Sequence, residues 1–321
     1  MARPLSKDDY TVGWICPLEV ELVAALEMLD ETHPRLSQPH TDHNAYTLGS
    51  IAGYNIVIAS LPGTGNASAA TVVAHMARTF QNVRYALLVG IGGGVPTTTD
   101  NGHIRLGHVV VSKPTGTLSG AVQYDHGKAQ AGQFERTGVI SPPPNVLLSA
   151  AQRLAAERAR LSDDPVQSNV KRINTAIHGL RRYTRPKQEH DALYAATYIH
   201  QTSAVPCDEC GCDPTQRVNR AREDGEPDIV VHRGTIASGG LVVRDAVQRD
   251  GLAAASGALC FETEAAGALN DFSCLVIRGI SDYCDSHKND QWHGYAAAAA
   301  AAYARQLFFH MPILDDARDG L

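Results

Sequence analysis

Short apolar runs without polar alternation recur along the chain, each bounded by Gly or Pro. They are "YTVGWIC" at 10–16, "YNIVIASLPG" at 54–63, "YALLVGIGGG" at 85–94, "GHVVVSKP" at 107–114, "VHRGTIASGG" at 231–240 and "CLVIRGISD" at 274–282. A strand with one wet face alternates polar and apolar residues, so runs of this kind belong to strands covered on both faces. Helix-period segments such as "LEVELVAALEMLD" and "ASAATVVAHMARTF" lie between several of them. Strands alternating with helices predict an α/β fold, with a mixed, largely parallel central sheet flanked by helices in three layers. At 321 residues the chain is long enough for one large domain of this kind, and a single domain over 1–321 is the expectation.

Between about 155 and 228 the character changes. "ERARLSDDPVQ", "GLRRYTRPKQEHD" and "CDECGCDPTQRVNRAREDGEPD" are rich in charge, Pro and Gly. This reads as an irregular insertion on a finished core, with part of it a long loop or poorly ordered, because low apolar content offsets little ordering entropy. The run "YAAAAAAAYARQLF" at 295–308 has the strongest helix former at eight of its fourteen positions and predicts a tightly packed helix. No internal repeat is visible, and the expectation is a stand-alone enzyme.

The formal net charge is −6, from 28 Lys and Arg against 34 Asp and Glu, which argues against a nucleic-acid or membrane-surface partner. A small neutral or cationic ligand fits better. The first residues hold no apolar signal core, and no stretch has eighteen consecutive apolar residues. Seven cysteines, several in apolar runs, suit free thiols in a reducing compartment. A soluble cytoplasmic protein is therefore expected.

In open α/β folds, ligands bind at the carboxyl ends of the strands. Four candidates sit at such ends. The turn Gly90-Ile91-Gly92-Gly93-Gly94 could bring backbone N–H groups close to an anion or sugar, or could be purely structural; it lacks the Lys-Ser/Thr of a P-loop. Arg278, Ser281 and Asp282 follow "CLVI", and Arg278 with Asp282 could equally form a surface ion pair. Glu19 and Glu21 follow "VGWICPL", where simple complementarity to a helix dipole would also place them. Last, "CFETEAAGALN" at 260–270 has the apolar spacing of a buried helix, yet carries Glu262 and Glu264 at its entrance. Burying unpaired carboxylates costs several kcal/mol, and a bare N-cap explains one of them better than two.

These segments resemble the nucleoside phosphorylase/nucleosidase superfamily, within it the methylthioadenosine/S-adenosylhomocysteine nucleosidase branch, and most closely purine-nucleosidase-type domains found in fungi. The resemblance is carried by "VGWICPLEVEL", "DHNAYTLGSIAGYNIVIASLPG", "LLVGIGGGVP", "IRLGHVVVSKP", "GAVQYDHGK", "FERTG", "TIASGG", "FETEAAG" and "RGISDYCDSHKN", which follow the family's order. It implies a nucleoside phosphorylase-like fold and cleavage of the N-glycosidic bond of purine ribonucleosides such as adenosine, inosine and guanosine. The chemistry needs a proton donor to the purine N7, and the resemblance gives this to Asp282, as a carboxyl kept partly protonated. It gives the ribose hydroxyls to Glu264, with Glu262 nearby.

Glu21 matches the water-binding glutamate of the nucleosidases, with Arg278 as its partner. A carboxylate there would repel phosphate, which favours hydrolysis to free ribose over phosphorolysis to ribose 1-phosphate. A nucleotide-cleaving or sensing domain is a further alternative. Thr263 stands where the branch commonly has Met against the sugar, and Ile91 where it has Ser. Gly92, Gly93, Val242 and Ser281 are expected around the substrate, with backbone near Val242 and Asp282 reading the base edge. Asp125 and Arg244 could touch base or 5′ end, or be structural. The resemblance further implies no cofactor, a role in purine salvage, and a homo-oligomer, a dimer being favoured.

Cys207, Cys210 and Cys212, with His200 upstream, have ligand types and spacing compatible with a structural zinc ion. No second C-x-x-C follows, and free surface thiols or a disulfide are the alternatives. In no case would this cluster be the active site.

Overall fold

The structure is a computed structural model and describes residues 3–312 except 203, 204, 208, 223, 224 and 271. Residues 1, 2 and 313–321 of the expected domain thus lie outside the described residues.

Six of the apolar runs are strands: β1 (Val12–Cys16), β4 (Tyr54–Ser60), β5 (Tyr85–Gly94), β8 (Val109–Ser112), β12 (Val231–Ser238) and β14 (Cys274–Asp282). β2 (Glu31–His33) and β3 (Tyr46–Ile51) extend one edge antiparallel, while β9 (Ala121–Gln123) and β13 (Ala258–Glu262) pair with β12 in parallel. Two small hairpins, β6 (Thr98–Thr99) with β7 (Gly102–His103) and β10 (Gly127–Gln130) with β11 (Gln133–Arg136), stand outside this sheet.

The order is β13-β12-β8-β14-β5-β1-β4-β3-β2. Around the centre β5 runs parallel to both β1 and β14, while the β8–β14 contact is antiparallel. Every residue of β1, β8 and β14 is buried, as their unalternated sequences require.

The helices are α1 (Glu19–Leu26), α2 (Asn66–Thr79), α3 (Asn145–Arg158), α4 (Pro165–Val170), α5 (Ala246–Ser256), α6 (Ala265–Ala268) and α7 (His293–Phe308). Their ends follow local chemistry. Asp245 caps α5 by accepting from Val247 N and Gln248 N, and Gly257 closes it in the left-handed conformation at φ 64°. The Ala run forms α7, which lies against β14. A Cβ at Gly279 would overlap the Ala296 carbonyl, so small residues on both elements let helix and sheet backbones meet.

The sheet also closes on itself. The end of β5 pairs antiparallel with β13, Gly93 opposite Phe261 and Gly94 opposite Cys260, so β5, β14, β8, β12 and β13 form a ring. The helical spacing of 260–270 is accordingly split: residues up to Glu262 are strand, and the helix is Ala265–Ala268. Pairing with β5 and β12 overrides the local apolar period.

The described part of 155–228 holds the end of α3, all of α4 and three short 3-10 turns, and polar contacts tie much of it to the core. Asp191 meets Arg105 at 3.2 Å and Arg220 at 3.3 Å, and the Arg220 guanidinium stacks 4.7 Å from the Tyr283 ring centre. Charge and aromatic stacking thus do here what apolar burial does elsewhere.

Candidate active site

β1, β5, β13 and β14 deliver their carboxyl ends to one place, and the side chains there explain the glycines of β5. A Cβ at Gly90 would meet the Glu21 carboxylate and Arg278, one at Gly92 would sit 2.9 Å from the Phe261 carbonyl oxygen, and one at Gly93 2.8 Å from Asp282 Oδ1. The missing side chains make room for the protein's own charged groups, and they leave the Ile91 N–H free to donate to Glu21 Oε1 at 2.7 Å. Ile91, where the resemblance implied Ser, therefore serves through its backbone.

Glu21 and Glu19 separate. Glu19 is on the surface and pairs with Arg182 at 3.0 Å, whereas Glu21 is 3% exposed and also accepts from Leu18 N at the start of α1. Burial pushes the Glu21 carboxyl up from 4.5 to about 8, against the pull of Arg278 and its two backbone donors, with Glu264 adding to the rise.

Arg278 was expected to partner Glu21, but the geometry differs. Its Nη2 donates to Glu262 Oε2 and, at 3.2 Å, to Glu264 Oε2, while Nη1 donates to the Ile91 carbonyl at 3.2 Å. No direct ion pair joins it to Glu21 among the described residues; its charge acts on Glu21 from a distance. Three buried carboxylates share one buried guanidinium, and a proton on Glu21 relieves the excess negative charge.

Glu262 and Glu264 also divide their tasks. Glu262 accepts from Glu264 N and Ala265 N at 3.0–3.1 Å, closing the step from β13 into α6. Glu264 accepts from Gly65 N at 3.1 Å, from the Thr263 hydroxyl and from Arg278, at the edge of a cleft. The cleft holds about 230 Å³, and its walls include Glu21, Thr263, Glu264, Gly92, Gly93 and Val242. Glu262, Arg278 and Ser281 line it as well, so this one cleft takes in nine of the residues singled out in the sequence around the substrate and water.

Asp282 lies just behind. Its oxygens accept from Ser281 Oγ at 2.9 Å, Cys284 N at 2.9 Å and Lys288 Nζ at 2.8 Å. Burial raises its pKa, but the Lys288 charge and these hydrogen bonds outweigh that and hold the carboxyl below the usual range. The expectation of a partly protonated Asp282 is thereby corrected: with Lys288 bound to it, the group is an ionised carboxylate. Asp282 lines a second cavity of about 270 Å³, and Ser281 and Lys288 line both.

Lys288 is the residue that sequence reasoning missed. It stands six positions after Asp282, within a segment quoted for the resemblance, but its return to Asp282 depends on the turn after β14 and not on spacing. Asp125 and Arg244 are more remote: Asp125 accepts from Gly240 N at 2.5 Å, and Arg244 donates to the Lys288 carbonyl at 3.4 Å. His200, Cys207, Cys210 and Cys212 gather apart from the cleft, beside the second cavity.

The family model of the phosphorylase superfamily matches residues 11–308. The chain belongs to the phosphorylase superfamily. Among known proteins, a nucleotide-binding leucine-rich repeat (NLR)-like protein of Hyaloscypha variabilis is 42% identical over 309 residues, which are 95% of this chain and 30% of that protein. The ATP nucleosidase Cap17 of Escherichia coli is 24% identical over 306 residues, 91% of this chain and 50% of that protein. The chain thus spans half or less of the length of these relatives.

Among solved structures, futalosine hydrolase of Helicobacter pylori superposes with a TM-score of 0.60 at 16% identity, over 95% of this chain and all of that one. The 5′-methylthioadenosine/S-adenosylhomocysteine nucleosidase of Neisseria meningitidis gives 0.57 at 17% identity, over 92% of this chain and 97% of that one. At such identities the superfamily fold is what is shared. No helix among the described residues is long and apolar enough to cross a membrane.

Proposed function

We propose that the chain is an N-glycosidic hydrolase, a purine nucleosidase that cleaves purine ribonucleosides such as adenosine, inosine and guanosine to free base and ribose. The observation that carries this reading is the state of the cleft's cations. Phosphorolysis needs free donors for a phosphate dianion, yet Arg278 is engaged by Glu262 and Glu264, and Lys288 by Asp282. Glu21 occupies the place where phosphate would have to sit, and in its ionised form repels it. Water suits that place better.

In this reading Glu264 holds the ribose hydroxyls and faces the positive charge that develops on the sugar. Glu21 in its ionised form takes a proton from water as the oxygen bonds to the anomeric carbon. The N-glycosidic electron pair goes to the purine, which needs a proton at N7. Asp282 passes that proton on, and Lys288, hydrogen-bonded to it, supplies it. Backbone near Val242 and Asp282 reads the base edge.

A second reading of the 5′ end is favoured by one comparison: Cap17, similar along 91% of this chain, is named an ATP nucleosidase. A purine nucleoside triphosphate is then the substrate, with the same bond broken. Either substrate fits a cytoplasmic enzyme, in purine salvage for the nucleoside, that acts as a homodimer. Leu241 and Val242, each 62% exposed at the cleft, offer the apolar surface a second copy would cover.

The test is chromatographic. Purified protein is incubated with adenosine, inosine, guanosine and ATP, and free base is measured. Base from the nucleosides supports the first reading, and base from ATP alone the second. Release from none of them overturns both.

A further inference from the structure

Outside the cleft, soft ligand atoms collect in the insertion. A ring nitrogen of His200, Cys207 Sγ and Cys212 Sγ all lie within 4.8 Å of one another, and Cys210 Sγ is 3.0 Å from His200 Nε2 and 3.4 Å from Cys212 Sγ. Zinc bonds of about 2.3 Å to sulfur and about 2.0 Å to nitrogen, set tetrahedrally, place ligand atoms roughly 3.5–3.8 Å apart. The two Cys210 pairs need to open by about half an ångström or less, and the other three ligands already lie within 4.8 Å of one another. A Cys210–Cys212 separation of 3.4 Å is far beyond a disulfide bond, and all seven cysteines are free thiols.

The surroundings show what such an ion would do. The described residues between 201 and 213 form no helix or strand, and their sequence has little apolar surface to bury. A segment of that kind is fixed in place by a metal where burial is insufficient. One ligand already touches the neighbourhood of the cleft: His200 N donates to Ser286 Oγ at 2.9 Å, and the His200 ring meets His287 edge-on at 5.1 Å. His287 in turn stacks on Tyr194 at 4.1 Å. Cys207 shares the wall of the second cavity with Asp282, His287 and Lys288.

We propose that Cys207, Cys210, Cys212 and His200 form a four-ligand zinc site that fastens the insertion to the loop after β14, the loop that carries Lys288. Zinc binding displaces the protons of the three thiols to solvent, and the ion leaves no open coordination position, so its role is structural. This inference does not depend on which bond the cleft cleaves.

Full-length protein without an affinity tag is dialysed against metal-free buffer, and its zinc is measured by plasma mass spectrometry. One zinc per chain is expected. Cys212→Ser and Cys207→Ser should each lose it, and Cys16→Ala, at a buried thiol outside the cluster, should keep it. Should a serine variant fold poorly, metal-stripped parent protein titrated with Co(II) gives an independent reading. A thiolate-to-cobalt charge-transfer band saturating at one equivalent is expected, with slower amide exchange over 198–213 and 283–290 once the metal is bound.

A protein that carries no zinc and takes up neither zinc nor cobalt overturns the proposal. So does zinc retained in a Cys207→Ser/Cys212→Ser double variant.

Discussion

Lys288 Nζ and Asp282 Oδ2 lie 2.8 Å apart, and this ion pair fixes the protonation state of the candidate acid. An isolated buried aspartate would tend to hold a proton; this one does not. Lys288→Met should therefore raise the Asp282 pKa and yet lower kcat by roughly 10²- to 10⁴-fold, the usual worth of a proton donor, with a smaller change in KM. Steady-state kinetics across pH check this. A variant as fast as the parent at pH 7 would show that Asp282 obtains its proton without Lys288.

Glu21 gives a pH dependence whose sign is fixed by its shift. Its pKa rises from 4.5 to about 8 on folding, so between these values the folded chain binds more protons than the unfolded one. The stabilisation is full below 4.5 and is lost as pH climbs through 8. Denaturant unfolding should show stability falling over that interval, and Glu21→Gln, which mimics the protonated side chain, should flatten the fall. With the ionised form as the proposed base, kcat/KM of the parent should rise with pH and level off above about 8, while Glu21→Gln should abolish turnover. Retained turnover would mean that something else positions the water.

Glu262 and Glu264 stand two residues apart but should fail differently. Glu264→Gln keeps most of its contacts with Gly65 and Thr263 and should raise KM for the riboside, since sugar contacts exist before and during bond cleavage. Glu262→Ala strips acceptors from Glu264 N, Ala265 N and Arg278, and should cost about 1–3 kcal/mol or more in stability. Thermal denaturation and Michaelis kinetics on both variants separate the two. The opposite pattern would exchange their roles.

Gly93→Ala tests the close packing of side chains onto β5. The new methyl would overlap Cys284 Sγ and sit 2.8 Å from Asp282 Oδ1. Overpacking of this kind costs about 1–3 kcal/mol, so a lowered melting temperature is expected together with impaired turnover. An unchanged melting temperature would mean that the turn after β14 can shift freely.

Much of this was legible in the sequence because it is local. Unalternated runs marked the buried strands, the Ala run marked α7, and the acidic and glycine-rich strand ends pointed to residues that do meet in one cleft. What escaped depends on contacts between distant segments. β13 pairs with both β12 and β5, a closure that no local period encodes, and so its residues carried a helical signal. Arg278 faces Glu262 and Glu264 instead of Glu21 because β13 and β14 converge on the end of β5. Lys288 returns to Asp282 through a turn whose path the spacing of residues does not specify.

Hydrolysis is tested most directly by the fate of the sugar. The protein is incubated with its riboside in ¹⁸O-labelled water, once in phosphate-free buffer and once with added phosphate, and the products are read by mass spectrometry. Free ribose carrying one ¹⁸O, formed at the same rate in both buffers, is the expected result. Ribose 1-phosphate appearing only with added phosphate would contradict it and make the enzyme a phosphorylase.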